Sequence, residues 1–187
     1  MLPRTLMTAR LTLRPYTWHD AADILAYATD AEWARYLPVP QPYTPLDAER
    51  FIAAQILLDH HRHAAYAIEH SGRLIGGVNI RFFEDHHIGE LGYGLAPRAW
   101  GQGLTTEAAT IVVEQAFAIY PQLHRIRASA DPRNTASLRV MAKLGMQREA
   151  HLRQNRLHRG EWVDEAWCGL LRDEWRARQA PSGGEYP

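Results

Sequence analysis

The stretch Arg98-Ala99-Trp100-Gly101-Gln102-Gly103-Leu104-Thr105 follows an apolar run that ends at Leu95-Ala96-Pro97, and it opens a helical pattern that runs on to Tyr120. Gly101 and Gly103 have no Cβ, so the backbone there can turn sharply and bring its N–H groups close to a ligand. The first turn of the following helix adds unpaired amides and the positive end of its dipole. Together they make an anion cradle that suits a pyrophosphate. Two nucleotide motifs are excluded. A dinucleotide fingerprint needs a third glycine where Thr106 stands, and a P-loop needs Gly-Lys-Ser/Thr, which is absent.

Working outward, Ile88 to Ala96 reads as a strand, preceded by a hairpin of Ala65 to Glu69 and Leu74 to Phe83 across Ser71-Gly72. Leu11 to Leu13 is a first strand, and Thr17 with Asp20 forms a capping box for a helix from Trp18 to Thr29. Four prolines between Pro38 and Pro45 allow only a short helix near Glu32 to Tyr36 before an irregular loop. Thr44 and Pro45 start a helix to about His61, whose terminal His60, His61 and His63 read as solvated cations at the C-terminal end rather than metal ligands. Ile126 to Ala130 is a strand. Asn134 N-caps a helix that Gly145 stops. Gln147 to Asn155 and Trp162 to Leu171 pair across Arg159-Gly160. A strand meander followed by alternating strands and helices predicts an α+β or mixed α/β sandwich around one sheet, as a single domain over residues 1–180 with a frayed tail at 181–187.

The 187 residues include 21 basic and 21 acidic side chains, so no global field draws the chain to nucleic acid or a membrane surface. The single cysteine, Cys168, excludes an internal disulfide and reads as a buried strand residue without the surroundings of a nucleophile. No segment reaches the roughly 20 apolar residues of a membrane span, and Met1 to Arg10 lacks a signal-peptide core, so the cytoplasm is the expected location.

Arg98-x-x-Gly101-x-Gly103, set between a strand and a helix, resembles the acyl-CoA loop of the GCN5-related N-acetyltransferases (GNAT). Glu90-Leu91-Gly92-Tyr93, Thr106-Glu107-Ala108, Asn134-x-x-Ser137 and Lys143-Leu144-Gly145-Met146 are similar, in order and spacing, to the branch of ribosomal-protein N-terminal acetyltransferases (RimJ/RimL-like), over Leu11 to Trp175. The resemblance implies a mixed, mostly antiparallel sheet of about seven strands with helices on both faces. It also implies a splay between the fourth and fifth strands that admits pantetheine. Acetyl-CoA is then the co-substrate, and no metal is called for. Backbone amides of Tyr93 to Ala96, Leu95 included, would hold the acyl group and pantetheine. Arg98 and the Gly101, Gln102, Gly103, Leu104 and Thr105 loop would take the pyrophosphate, and Asn134 and Ser137 would lie along the pantetheine near sulfur.

Acyl transfer from such a thioester requires an aligned amine, a supported oxyanion and a proton for the departing thiolate. Ser137, which the resemblance sets close to sulfur, is the acid-side candidate, against the reading that Asn134 and Ser137 only cap the helix; the tyrosine often used in the wider superfamily is missing between Pro132 and Gly145. Glu90 is the candidate base, with Glu165 and the pair His86 and His87 behind it. Glu107 reads as a helix-dipole acid. Arg133, Arg139 and Lys143 read as solvated helix-face charges able to meet phosphates, and Arg148 to Arg159 as a solvated strand and loop. Trp33, Tyr36 and Tyr43 are candidate walls of an acceptor channel. Gly92 and Gly94 read equally as packing relief or as sites of close backbone approach. The resemblance favours the N-terminal amine of a protein or peptide as acceptor, with polyamines, aminoglycosides and aminoacyl compounds as alternatives. A non-catalytic acyl-CoA-binding protein is the reading from another class. The last strands offer a route to a homodimer that no residue pattern marks.

Overall fold

The computed structural model describes residues 1–179, so the tail expected at 181–187 lies outside the described residues. Eight strands form one sheet: β1 (Leu6–Met7), β2 (Thr12–Arg14), β3 (His63–His70), β4 (Arg73–Phe83), β5 (Ile88–Leu95), β6 (Arg125–Ala130), β7 (Gln147–His158) and β8 (Glu161–Leu171). Their spatial order is β1-β2-β3-β4-β5-β6-β8-β7, antiparallel throughout except for the β5–β6 pair. The strand beyond the expected seven is β1, two residues paired to Leu13 and Thr12 and too short to show an alternation.

Among the described residues six α-helices accompany the sheet: α1 (Ala21–Ala28), α2 (Ala31–Ala34), α3 (Pro45–Ile56), α4 (Leu104–Ile119), α5 (Thr135–Leu144) and α6 (Arg172–Gln179). Local signals set several of their ends. Thr44 and Asp47 close a capping box with Pro45 at the first helical position, Asn134 Oδ1 accepts the Ser137 amide at 3.1 Å, and Gly145 stops α5 in the left-handed region. The predicted capping box of Thr17 and Asp20 forms over a short 3-10 turn, Trp18–Asp20, that leads into α1.

One apolar cluster fills the face covered by α4 and α5, where Val78, Ile80, Leu91, Leu95, Ile126 and Leu170 meet Val112, Val113, Met141 and Leu144. A smaller one under α1 and α3 holds Tyr16, Ile24, Tyr27, Tyr43, Ile52 and Ala67. Helices thus flank both faces. The far end of α4 is held by Arg172, whose guanidinium donates to the carbonyls of Leu123, Phe117 and Tyr120 at 2.7, 2.8 and 2.5 Å. It thereby satisfies acceptors that a helix C-terminus leaves open.

The histidines differ from the expectation. Helix α3 ends at Ile56; His60 is buried at 8 % exposure beside Tyr66, and His63 lies in β3 with its Nε2 3.1 Å from Asn79 Oδ1. Burial lowers the pKa of both imidazoles, so neither is a solvated cation. Among the described residues no helix is long and apolar enough to cross a membrane.

Candidate active site

Strands β5 and β6 pair only at Ile88 with Arg125, Gly89 with Ile126 and Glu90 with Arg127, and then part. The Ala96 amide donates to Ile75 O at 2.7 Å, on the β4 side. His87 O accepts from His124 N at 2.8 Å, on the β6 side. The two-residue alternation between these marks turns the backbone groups of Tyr93 and Leu95 into the opening gap. Tyr93 and Leu95 therefore border the gap. Ala96 does not: its amide is used by β4, and its side chain is 1 % exposed among the residues under α1 and α3.

The cradle closes the wide end of the gap. Gly101 and Gly103 take φ of 74° and 76°, the left-handed region that strains any residue with a Cβ, and a Cβ on Gly101 would meet nothing within 4 Å. The first long-helix bond runs from Glu107 N to Gly103 O, so the amides of Leu104, Thr105 and Thr106 have no partner inside α4. The loop is braced from outside. Trp100 Nε1 donates to Leu95 O at 2.6 Å, Gln102 Nε2 to Arg98 O at 3.0 Å, and Arg10 Nη1 to Gln102 O at 3.1 Å. Glu107 binds Thr8 Oγ1 and the Arg10 backbone and guanidinium, which keeps its carboxyl below the usual range although desolvation by burial, the largest influence, pushes the other way.

Arg98, expected at the phosphates, turns elsewhere: its Nη2 donates to Leu74 O at 2.7 Å, so it anchors the loop to β4 and does not line the cavity. Leu104 is core, and Gln102 folds its amide onto its own loop, so both offer the cradle only backbone.

A cavity of about 530 Å³ joins cradle and gap. Its lining takes Tyr93, Gly94 and Leu95 from β5, Gly101, Gly103, Thr105 and Thr106 from the loop and α4, and Asn134, Ser137, Arg139 and Lys143 from the start and outer face of α5. Glu32 to Leu37, except the core residue Ala34, form the opposite wall. Trp33 and Tyr36 belong to that wall, whereas Tyr43 is buried under α1 and α3 and lines no part of it. The wall is tied down by Arg159 Nη2 on Ala34 O at 2.9 Å, His158 Nε2 on Arg35 O at 3.0 Å, and the Tyr36 hydroxyl on Arg133 O at 3.3 Å.

Inside the cavity the Tyr93 hydroxyl lies 3.1 Å from both Ser137 O and Ser137 Oγ. Burial pushes its pKa up to about 12, so the phenol keeps its proton at neutral pH. A search for tyrosine confined to α5 misses this group, which β5 supplies. Its signal was the alternation Leu91, Tyr93, Leu95, which sends all three side chains to the α4–α5 face.

Glu90 stands on the other face. Its Oε1 accepts from Arg81 at 3.1 Å and its Oε2 from Arg127 Nε and Nη2 at 3.0 and 2.9 Å, so two guanidiniums hold both oxygens at the last paired rung. It ties the apex of the gap together instead of facing it, contrary to the expected role as base. A Cβ on Gly92 would come within 2.9 Å of Asn79 Nδ2, which makes this glycine a concession to packing. His86 stacks on Tyr120 and bonds to His61 O, both outside the cavity lining.

A family model described as an acetyltransferase (GNAT) domain matches residues 10–147. The uncharacterized N-acetyltransferase YnaD of Bacillus subtilis is 29% identical over 170 residues, 91% of this chain and 98% of that protein. The [ribosomal protein uS5]-alanine N-acetyltransferase of Escherichia coli is 30% identical over 89 residues, 48% of this chain and 45% of its own. The crystal structure of a GNAT-family acetyltransferase from Bacillus anthracis superposes with a TM-score of 0.81 at 27% identity, over 91% of this chain and 99% of that one. With its parted strands, glycine cradle and family match over most of its length, the chain belongs to the GNAT acetyltransferases and is an N-acetyltransferase.

Proposed function

We propose that the protein binds acetyl-CoA in the β5–β6 gap and transfers the acetyl group directly to the N-terminal amine of a protein or peptide in the cytoplasm. The observation that carries this is the continuity of cradle, gap and walled cavity around one hydroxyl pair, Tyr93 with Ser137. The residues fit the co-substrate. Left-handed glycines and free α4 amides suit its phosphates, and the gap-facing backbone of Tyr93 with the Leu95 N–H suits a pantetheine amide chain, the Leu95 carbonyl being taken by Trp100. When bound, acetyl-CoA supplies an acetyl group already activated as a thioester. Backbone N–H groups of β5 support the carbonyl oxygen as charge develops on it. The Tyr93 hydroxyl, oriented by Ser137, donates the proton that the thiolate needs, and the cavity wall excludes water. Cys168 takes no part: it is buried, and burial raises its thiol pKa.

The peptide acceptor is supported by the name of the E. coli relative. A small amine is the second reading, favoured by the tethered wall of Trp33 to Leu37, which narrows the approach. The experiment is CoA thiol release from acetyl-CoA with short peptides of varied N-terminal residue, spermidine, an aminoglycoside and free amino acids. Turnover of peptides alone supports the first reading. Turnover of a small amine alone replaces the acceptor and keeps the transferase.

A further inference from the structure

Past the rung of Glu90 and Arg127, the next β6 side chain on the α1–α3 face is Ser129, because Ile126 and Ala128 point into the core under α4. Carrying the β5–β6 register two residues further sets Ser129 across the gap from Gly92, whose partner on β4 is Asn79. Ser129 Oγ donates to Glu165 Oε1 at 2.9 Å. Glu165 Oε2 accepts from Asn155 Nδ2 at 2.8 Å and Trp167 Nε1 at 2.9 Å.

This carboxylate differs from Glu90 in the kind of partner it has. All three of its donors are neutral, and they fill three of its roughly four acceptor positions. Two charged neighbours are engaged elsewhere: Arg127 binds Glu90 and lies over the Trp167 ring, and Asp164 holds His151 and the Gln154 amide. Ser129 has one hydroxyl hydrogen and donates it to Glu165, so what the oxygen has left to offer a ligand is its lone pairs. A serine fixed in that way accepts an N–H and cannot donate.

Building on the transferase reading above, we propose that Ser129 and Glu165 receive the acceptor amine. Ser129 Oγ accepts an ammonium N–H, and Glu165 takes the proton by way of that hydroxyl and later releases it to water. The neutral nitrogen then forms the N–C bond as the C–S bond breaks. Once Glu165 has released the first proton, the nitrogen sheds its second through the same hydroxyl and carboxylate to water, and a proton from water restores the Tyr93 phenol that protonated sulfur.

The test measures thiol release with two probes, a hexapeptide beginning with alanine and spermidine, for the wild type and for Glu165→Gln, Ser129→Ala and Ser129→Thr. Glu165→Gln should lower kcat/KM for the amine about a hundredfold near pH 7. The deficit should shrink at about pH 9, where a peptide amine of pKa about 7.7 to 8.0 is already neutral. The KM for acetyl-CoA should stay within about twofold, showing that the variant folds and that the cradle is intact. Ser129→Thr should recover much of what Ser129→Ala loses. A loss independent of pH, or a parallel rise in the KM for acetyl-CoA, would mean that the pair only supports the fold. Full activity of Glu165→Gln overturns the pair's role while leaving the transferase reading in place. A wild-type protein that turns over neither probe overturns the proposed peptide acceptor and this inference with it, and leaves the family membership in place.

Discussion

Replacing Gly101 with alanine, and separately Gly160, distinguishes backbone strain from ligand contact. The two positions are matched: φ is 74° at Gly101 and 82° at Gly160, and at neither would a Cβ meet a heavy atom within 4 Å. Each substitution should cost about 1–2 kcal/mol, because a Cβ in the left-handed region crowds the following carbonyl. In a domain of this size that lowers Tm by about 2–8 °C. Only Gly101 lies in the cradle; Gly160 sits in the β7–β8 turn, outside the cavity lining. The methyl group at residue 101 would occupy the open space the phosphates need and spoil at least one charge-assisted amide contact, worth about 1.5–3 kcal/mol, so the KM for acetyl-CoA should rise about ten- to a hundredfold. Differential scanning fluorimetry and thiol-release kinetics read the two quantities on the same samples. Equal Tm losses with a KM change in Gly101→Ala alone is the expected outcome. Equal KM changes in both variants, or none in Gly101→Ala, would refute the assignment of the cradle.

Tyr93→Phe removes the phenol and keeps the ring, so kcat should fall about tenfold or more while the KM for acetyl-CoA holds, as measured by thiol release; a change in KM alone would contradict the proton-donor role. The Arg133 guanidinium, bound to both carboxylate oxygens, keeps Asp131 below the usual carboxylate range. A depressed carboxyl stabilises the fold above its unfolded pKa and loses that effect as pH falls through the folded one. Asp131→Asn should therefore weaken urea resistance at neutral pH and converge with the wild type in acid, once the pH has fallen below the depressed folded-state pKa. Arg159→Ala frees Ala34 O, and the amides of residues 31–37 should exchange hydrogen faster while the KM for the amine rises.

The fold was legible because its decisive signals are local. Thr44-Pro45 with Asp47, Asn134 before Thr135, and Gly145 set helix ends through contacts within a few residues, and the alternations around Ile80 and Leu91 reflect a single buried face. Two elements were missed for physical reasons. Strand β1 is two residues long, and α6 is predominantly polar, with Trp175 its one buried side chain. In the site, glycine spacing revealed the cradle because backbone conformation is a property of the residue itself. The partners of Arg98, Glu90 and Tyr93 lie on other strands and helices, and no spacing within the chain encodes them. His60 misled for the same reason, since Tyr66 and the first residues bury it.

Arg172 gives the molecule an order of completion. The helix that offers its first amides to the ligand has its last carbonyls sealed by a side chain from the far end of the chain. During vectorial synthesis the glycine loop and all of α4 leave the ribosome long before residue 172, so the helix that carries the cradle waits for its closing contact until the C-terminal strand has been laid down. The middle of the sequence encodes the site, and the end of the sequence supplies the contact that finishes the helix beneath it.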